Sequence, residues 1–280
     1  MPVAITLLTD FGTRDPYVGA LRGVIAGLAP DARVHDVSHE IAPQSVIEAA
    51  FVLRGAYPYF PDGTVHVCVV DPGVGTARRA VALRARGHVF VGPDNGLFSL
   101  VLGEDAPDEL VVLDRPDAWR VAAPSATFHG RDVFAPVAAR IAAGAALADV
   151  GTPAGGGAAL RVLRWALPIP DADGVRARVV HVDRFGNAVT NVEGDDLARR
   201  LDGRALKTVA GNAVVRGLAR TYADVDPGEP VVLTGSAGLV EVAVRNGNAA
   251  ELLSLRAGTP VSFVFAPEDR PRPLLSADAR

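Results

Sequence analysis

Apolar and polar positions alternate along the first half of the chain in two recurring patterns. "VAITLLT" (3–9) is a short apolar run with β-branched residues and predicts a buried strand. "RDPYVGALRGVIAGLAP" (14–30) has helical spacing and stops at Pro30. "ARVHDVS" (32–38) predicts a strand, "PQSVIEAAFVLRGAYPYF" (43–60) a helix, and "GTVHVCVVD" (63–71) a strand again. "AVALRA" and "HVFVG" follow as a strand pair, and "RDVFAPVAARIAAGAAL" (131–147) as a last long helix. Strands alternating with helices imply a mostly parallel sheet covered on both faces.

The pattern changes at 152–174, where "TPAGGG" and "PIPDADG" have the Gly/Pro composition of a linker. Beyond it come short strands with turn signals between them: "VRARVVHVD", "NAVTNV", "EPVVLTG", "LVEVAV" and "PVSFVFA". The expected organisation is an N-terminal α/β domain over 1–165 and a small C-terminal β-barrel domain over 172–280, in an α/β chain overall.

Composition narrows the partners. The 280 residues carry 28 Lys and Arg against 32 Asp and Glu, a formal charge of −4, so nothing favours nucleic acid or anionic lipid. The single cysteine, Cys68, lies inside an apolar run, which excludes an internal disulfide and fits a reducing compartment. The start "MPVAITLLTDFG" has no basic leader and turns polar at Thr9-Asp10, and no apolar run is long enough for a bilayer. The expectation is a cytoplasmic protein. The six histidines show no paired ligand spacing beyond His35 and His39, which have no supporting cluster, so no metal is expected.

Polar clusters fall at the ends of predicted strands: "LLTDFGTRDPY", "VVDPGVGTARR" and "VGPDNG". Ligands bind beyond the carboxyl ends of strands in open parallel sheets, so Asp10, Asp71 and Asp94 are expected to share a crevice. Each has a plainer reading. Asp10 suits a helix cap, Asp71-Pro-Gly a turn, and Asp94-Asn-Gly a turn more strongly still. Arg78 and Arg79 equally suit a solvated surface. A fourth cluster, "SATFHGRD" (125–132), puts His129 and Arg131 near a helix start. "GVGTAR" lacks the Walker lysine and dinucleotide spacing, and there is no G-x-S-x-G elbow. In the second half, "HVDRFGNAVTN" (181–191) reads as a polar hairpin or as a binding loop. In the second case Asp183 offers a carboxylate, Phe185 a stacking ring, and Asn187 and Asn191 amides. "LTGSAGLVEVAVRNGNAAE" (233–251) offers another such loop.

Taken in order, "TDFGTRDPYVGALRG", "HEIAPQSV", "VVDPGVGTARR", "GPDNGLFS", "TFHGRDVFAP", "DRFGNAVTN" and "GSAGLVEVAVRNGNAAE" resemble the S-adenosyl-L-methionine (SAM) hydroxide adenosyltransferases. These are adenosine-forming SAM hydrolases related to bacterial fluorinase and chlorinase. The resemblance implies an α/β domain followed by a β-barrel domain, a homotrimer with active sites between subunits, SAM as substrate and no further cofactor. The implied reaction is attack of water or hydroxide on C5′ to give adenosine and L-methionine. Carried over by motif, the catalytic residues would be Asp71, Arg78 and His129; the family's seven-residue spacing of acid and arginine selects Arg78 over Arg79. Asp10 would hold the ribose 2′ and 3′ hydroxyls, Asp183 the methionine amine, Asn187 the adenine and Ser236 the methionine carboxylate. Phe128 and Phe185 would face the substrate, and Arg245, Asn246 and Ala249 would line adenine. Halogenating relatives carry tyrosine where Asp71 stands and serine where Gly130 stands. The chain departs from the family's Asn-Ser-Ser-Gly or Asn-Ser-Arg-Gly loop with Gly235-Ser236-Ala237-Gly238, which implies fewer contacts to the carboxylate. For the chemistry, a guanidinium would stabilise developing hydroxide, a carboxylate would orient the water, and His129 would accept or relay a proton.

Overall fold

Residues 3–155 and 159–266 are described by the computed structural model, and their packing divides the chain between Arg164 and Trp165. The first unit contains β1 (Ala4–Thr9), α1 (Tyr17–Leu28), β2 (Arg33–Ser38), α2 (Val46–Ala56), β3 (Val65–Val69), β4 (Ala80–Ala85) and β5 (His88–Pro93). It continues with α3 (Ser99–Leu102), β6 (Glu109–Val112), α4 (Ala135–Ala142), α5 (Leu147–Val150) and β7 (Thr152–Pro153). The strand order is β2-β1-β3-β5-β4-β6-β7. Strands β2, β1, β3 and β5 pair in parallel, β4 is antiparallel to both β5 and β6, and β7 is antiparallel to β6.

Alternation along β3 assigns its residues to two cores. Val65, Val67 and Val69 join Leu21 and Ile25 of α1 and Val137 and Ala138 of α4 on one face. Cys68 and Val70 join Ala49 and Leu53 of α2 and Phe90 of β5 on the other. Each buried aliphatic side chain contributes about 1.5–3 kcal/mol relative to exposure. With both faces covered, the ligand-binding surface left to this sheet is the rim at its strand ends.

The helix expected over 131–147 is broken. It opens with a π-helical turn, Gly130–Phe134, and α4 ends at Ala142. Gly144 there has φ +105°, a conformation that stops a helix at little cost only with glycine. The helix expected over 43–60 likewise ends at Ala56 and passes into a 3-10 turn, Tyr57–Tyr59, with a proline in it.

The second unit is β8 (Ile169–Asp171), β9 (Gly174–Val182), β10 (Ala188–Glu193), α6 (Gly194–Leu201), β11 (Ala205–Ala210), β12 (Ala213–Arg216), β13 (Pro230–Thr234), β14 (Leu239–Val244), α7 (Ala249–Leu252) and β15 (Pro260–Ala266). The antiparallel order is β12-β11-β15-β9-β10-β14-β13, with β8 added on β9. A bridge between Ala219, just past β12, and Leu233 of β13 brings the two ends of the sheet together into a nearly closed barrel. Val179, Val192, Val240, Val242 and Phe263 fill it.

Of the expected linker, the glycine-rich 156–158 lies outside the described residues. Residues 159–163 are held on the first unit: Arg161 N donates to Asp94 Oδ1 (2.7 Å), Arg79 Nη2 to Ala159 O (2.7 Å) and Leu163 N to Ser99 Oγ (2.9 Å).

Candidate active site

Asp71 is the first acid past β3, and Arg78 returns to it across a glycine turn. Arg78 Nη2 and Nε donate to Asp71 Oδ2 at 2.5 and 2.9 Å, and Nε also lies 3.1 Å from Oδ1. Both side chains are buried, 5% and 7% exposed, so the charges are held by each other rather than by water. The turn is closed by Val74 N and Thr76 N donating to the carbonyls of Asp71 and Gly73. Gly75 has φ +76°, and a β-carbon there would overlap the Ala126 carbonyl oxygen. Only glycine lets this loop lie against residues 125–127, which lead into His129.

That approach joins the third residue. Arg78 Nη2 donates to His129 Nδ1 at 2.7 Å, and the guanidinium packs over the Phe134 ring at 5.3 Å. A guanidinium only donates, so Nδ1 accepts and the proton of the neutral imidazole sits on Nε2. Burial, and then the Arg78 cation, hold the His129 pKa below the usual imidazole value, against the opposing pull of Asp71 and Asp132. His129 in this arrangement offers an N–H, with its one lone pair already engaged.

The neighbouring arginine goes elsewhere. Arg79 Nε and Nη2 donate to Asp94 Oδ2 at 2.9 and 2.6 Å. Successive residues entering a strand point to opposite sides, which separates the two cations. Asp94, expected mainly as a turn residue, is therefore a buried ion-pair partner, 3% exposed, and Arg79 is not simply a solvated surface cation.

Asp132 carries a role that the sequence reading did not assign. Fully buried, it accepts Arg131 Nε and Nη2 (2.8 Å each), Arg120 Nε (2.6 Å) and Ser125 N (2.9 Å). The Arg131 contact above all pulls its pKa far below the usual carboxylate range. The carboxylate fastens the loop before His129 to the π turn after it. Such turns recur at functional positions, and composition does not reveal them.

Asp10 does not cap α1, whose N-terminal boundary residue is Pro16; its Oδ2 accepts Gln44 N at 2.8 Å. Gln44 has φ +66°, a strained conformation for a side chain of that size. Next to Asp10, the Phe11, Tyr17 and Phe128 rings meet with centroids 5.2–5.8 Å apart. Gly130 sits under them: a β-carbon there would lie 3.3 Å from Phe128 and 3.5 Å from Phe11.

In the second unit, Asp183 Oδ1 accepts Phe185 N and Asn187 N at 2.9 and 2.8 Å, and Oδ2 accepts Asn187 Nδ2 at 2.9 Å. The acid organises its own loop, leaving Phe185 77% exposed and Asn187 buried. Ala250 N donates to Gly186 O (2.9 Å), joining this loop to the start of α7, where Ala249 is buried and Asn248 accepts Glu251 N. Arg245 Nη1 donates to Val225 O (2.7 Å), and Asn246 has φ +56°. Ser236 is exposed in the turn between β13 and β14. Beside that turn lies Glu241, a residue the sequence reading passed over. It is 6% exposed, accepts the Tyr222 hydroxyl and has its pKa raised by burial first and by Asp183 as well. A β-carbon on Gly235 would overlap its carboxylate.

Among the described residues no group of three or more His, Cys, Asp or Glu could hold a metal ion, and no helix is long and apolar enough to cross a membrane.

Sequence comparison agrees on one family. The model of the SAM hydroxide adenosyltransferase N-terminal domain matches residues 5–151, and that of the C-terminal domain matches 177–262. A Salinispora arenicola protein named (R)-S-adenosyl-L-methionine hydrolase is 49% identical, covering 91% of this chain and 95% of its own. A fluorinase from an Actinoplanes species is 29% identical, covering 94% and 97%. A crystal structure of an uncharacterized conserved protein from Thermotoga maritima matches with a TM-score of 0.83 at 36% identity, covering 92% of this chain and 99% of that one.

Proposed function

Because the chain belongs to the SAM hydroxide adenosyltransferase family, we propose that it hydrolyses SAM to adenosine and L-methionine. The observation that carries this reading is the buried chain Asp71–Arg78–His129 at the strand ends of the first unit. In the reaction, water oxygen bonds to C5′ as the C5′–S bond breaks. Sulfur keeps the bonding pair and departs as the neutral thioether of methionine, and one water proton is released. As hydroxide meets sulfonium, charge disappears along the path, so a dry pocket favours the transition state over the reactants. Asp71 accepts a hydrogen bond from the water. Arg78, permanently cationic, stabilises hydroxide character as it develops. His129 donates its Nε2–H to the attacking oxygen.

Asp10 is assigned to the ribose hydroxyls, with Phe128 as an aromatic wall. Asp183 is assigned to the ammonium and Ser236 to the carboxylate of methionine. Phe185, Asn187, Arg245, Asn246 and Ala249 are assigned to adenine. A homotrimer, a cytoplasmic location and independence from added cofactors complete the proposal; sedimentation velocity and activity after exhaustive chelation check the first and last. Two features favour water over halide: the acid at position 71, and Gly130, where the β-carbon of a serine would press on Phe128.

Purified protein incubated with SAM, with and without chloride, followed by chromatography, is the direct test. Adenosine and methionine in equal amounts, unaffected by chloride, are expected. A chlorinated nucleoside would replace the hydrolase by a halogenase, and SAM recovered unchanged would leave only a binding role.

A further inference from the structure

We propose that His39 is a positioning residue for ribose recognition, acting through Thr9 and the 9–12 segment on Asp10. The proposal rests on the assignment of Asp10 to the ribose hydroxyls. His39 belongs to the histidine pair that sequence spacing left without a cluster, and the fold gives it Thr9 and Asp36 as neighbours. Its Nδ1 lies 2.8 Å from Thr9 Oγ1, with Thr9 0% and His39 5% exposed. Thr9 Oγ1 in turn accepts Phe11 N (3.3 Å), and the His39 carbonyl accepts Gly12 N (2.7 Å). Gln44 N holds the Asp10 carboxylate itself. Residues 9 to 12 are thus gripped from one side by residues 39 and 44.

The grip is anchored behind. His39 Nε2 stands 3.0 Å from Asp36 Oδ1, out of line for a hydrogen bond, and Asp36 pairs with Arg22 of α1. Burial would raise the Asp36 pKa, but its contacts with His39 and Arg22 outweigh this and lower it. The register between β1 and β2 also shifts here: Leu7 faces Asp36, whereas Leu8 faces Ser38. The irregularity falls between Asp36 and Ser38, just ahead of His39, whose ring reaches Thr9 at the end of β1. None of these side chains is needed for packing alone: a threonine and an imidazole at zero and 5% exposure must hydrogen-bond or be costly.

The test compares SAM with its 2′,3′-dideoxy analogue, which keeps the sulfonium and methionine but gives Asp10 nothing to hold. His39→Leu should raise KM for SAM roughly tenfold, the loss of about one well-placed hydrogen bond, with kcat within twofold and little change for the analogue. His39→Asn, which returns a polar group near Thr9 Oγ1, should recover most of the loss. Thr9→Val, close in volume, should show the same selective effect in a protein of near-normal melting temperature. An equal loss on both substrates, or an unchanged KM for SAM, would overturn the proposal. Asp10→Ala separates the two ideas: if it fails to discriminate the substrates, the ribose assignment itself is wrong; if it discriminates and His39→Leu does not, only the role of His39 falls.

Discussion

Strand β3 has a charged end and an uncharged one. Past its carboxyl end, Asp71 is buried against Arg78, and His129 completes the chain. Near its amino end, buried His66 meets a hydroxyl and a second imidazole. Its Nδ1 meets Thr6 Oγ1 (2.7 Å), its Nε2 meets His88 Nδ1 (3.2 Å), and its ring stacks on Phe90 at 5.0 Å. Burial, and then His88, push the His66 pKa down to about 3, and burial lowers that of His88 too. Similar depth therefore houses two different kinds of pair. Where a fixed guanidinium is delivered, a buried carboxylate gains a partner; where imidazole meets imidazole, burial lowers both ring pKa values, that of His88 against the opposing pull of Asp62.

The largest effect should come from breaking the charged end. Arg78→Ala should lower adenosine release roughly a hundred- to a thousandfold and, by leaving Asp71 buried without its partner, cost about 3 kcal/mol of stability. Single-turnover kinetics and a denaturant melt read the two losses separately; near-normal turnover would remove Arg78 from the mechanism. The uncharged end should respond to pH instead. Unfolded histidine binds its proton near pH 6.5, whereas His66 in the fold resists protonation until about 3. Its contribution is therefore complete above pH 6.5 and is lost as pH falls toward 3, by roughly 4–5 kcal/mol at most. His66→Phe should flatten the dependence of Tm on pH over that range, and an unchanged slope would assign the acid sensitivity to other groups. Smallest is the control beside the charged end. Arg79→Ala should cost about 3 kcal/mol by stranding Asp94, yet keep turnover of the folded protein within a few fold. A loss as deep as that of Arg78→Ala would dissolve the distinction between the two arginines.

Most strands were legible because their buried faces need Val, Ile and Leu at every position or every second one. Elements with little apolar content were not. Helix α6, "GDDLARRL", buries only Gly194 and Leu197, and the β11–β12 hairpin alternates too briefly to stand out from its loops. Spacing and resemblance brought Asp71, Arg78 and His129 forward, and the fold places them in contact. Asp132, Glu241 and His39 stayed hidden for a common reason. Each gains its meaning from partners that lie far from it in the chain or from the turn it fastens, and a lone acid or histidine in sequence looks the same whether it is solvated or enclosed. Asp94 misled in the other direction: a strong turn dipeptide concealed a buried acid.

Adjacent arginines that answer to different acids make the length of the 72–77 loop a counting device. Side-chain direction in a strand reverses with every residue. Removing one residue ahead of Arg78 would therefore force a choice: either β4 slips by one residue against β5 and β6 and turns each guanidinium to the wrong face, or the shortened turn strains the approach of Arg78 to Asp71. Away from Gly73 and Gly75, substitutions in this loop can be absorbed one at a time, but a single-codon deletion has no conservative version.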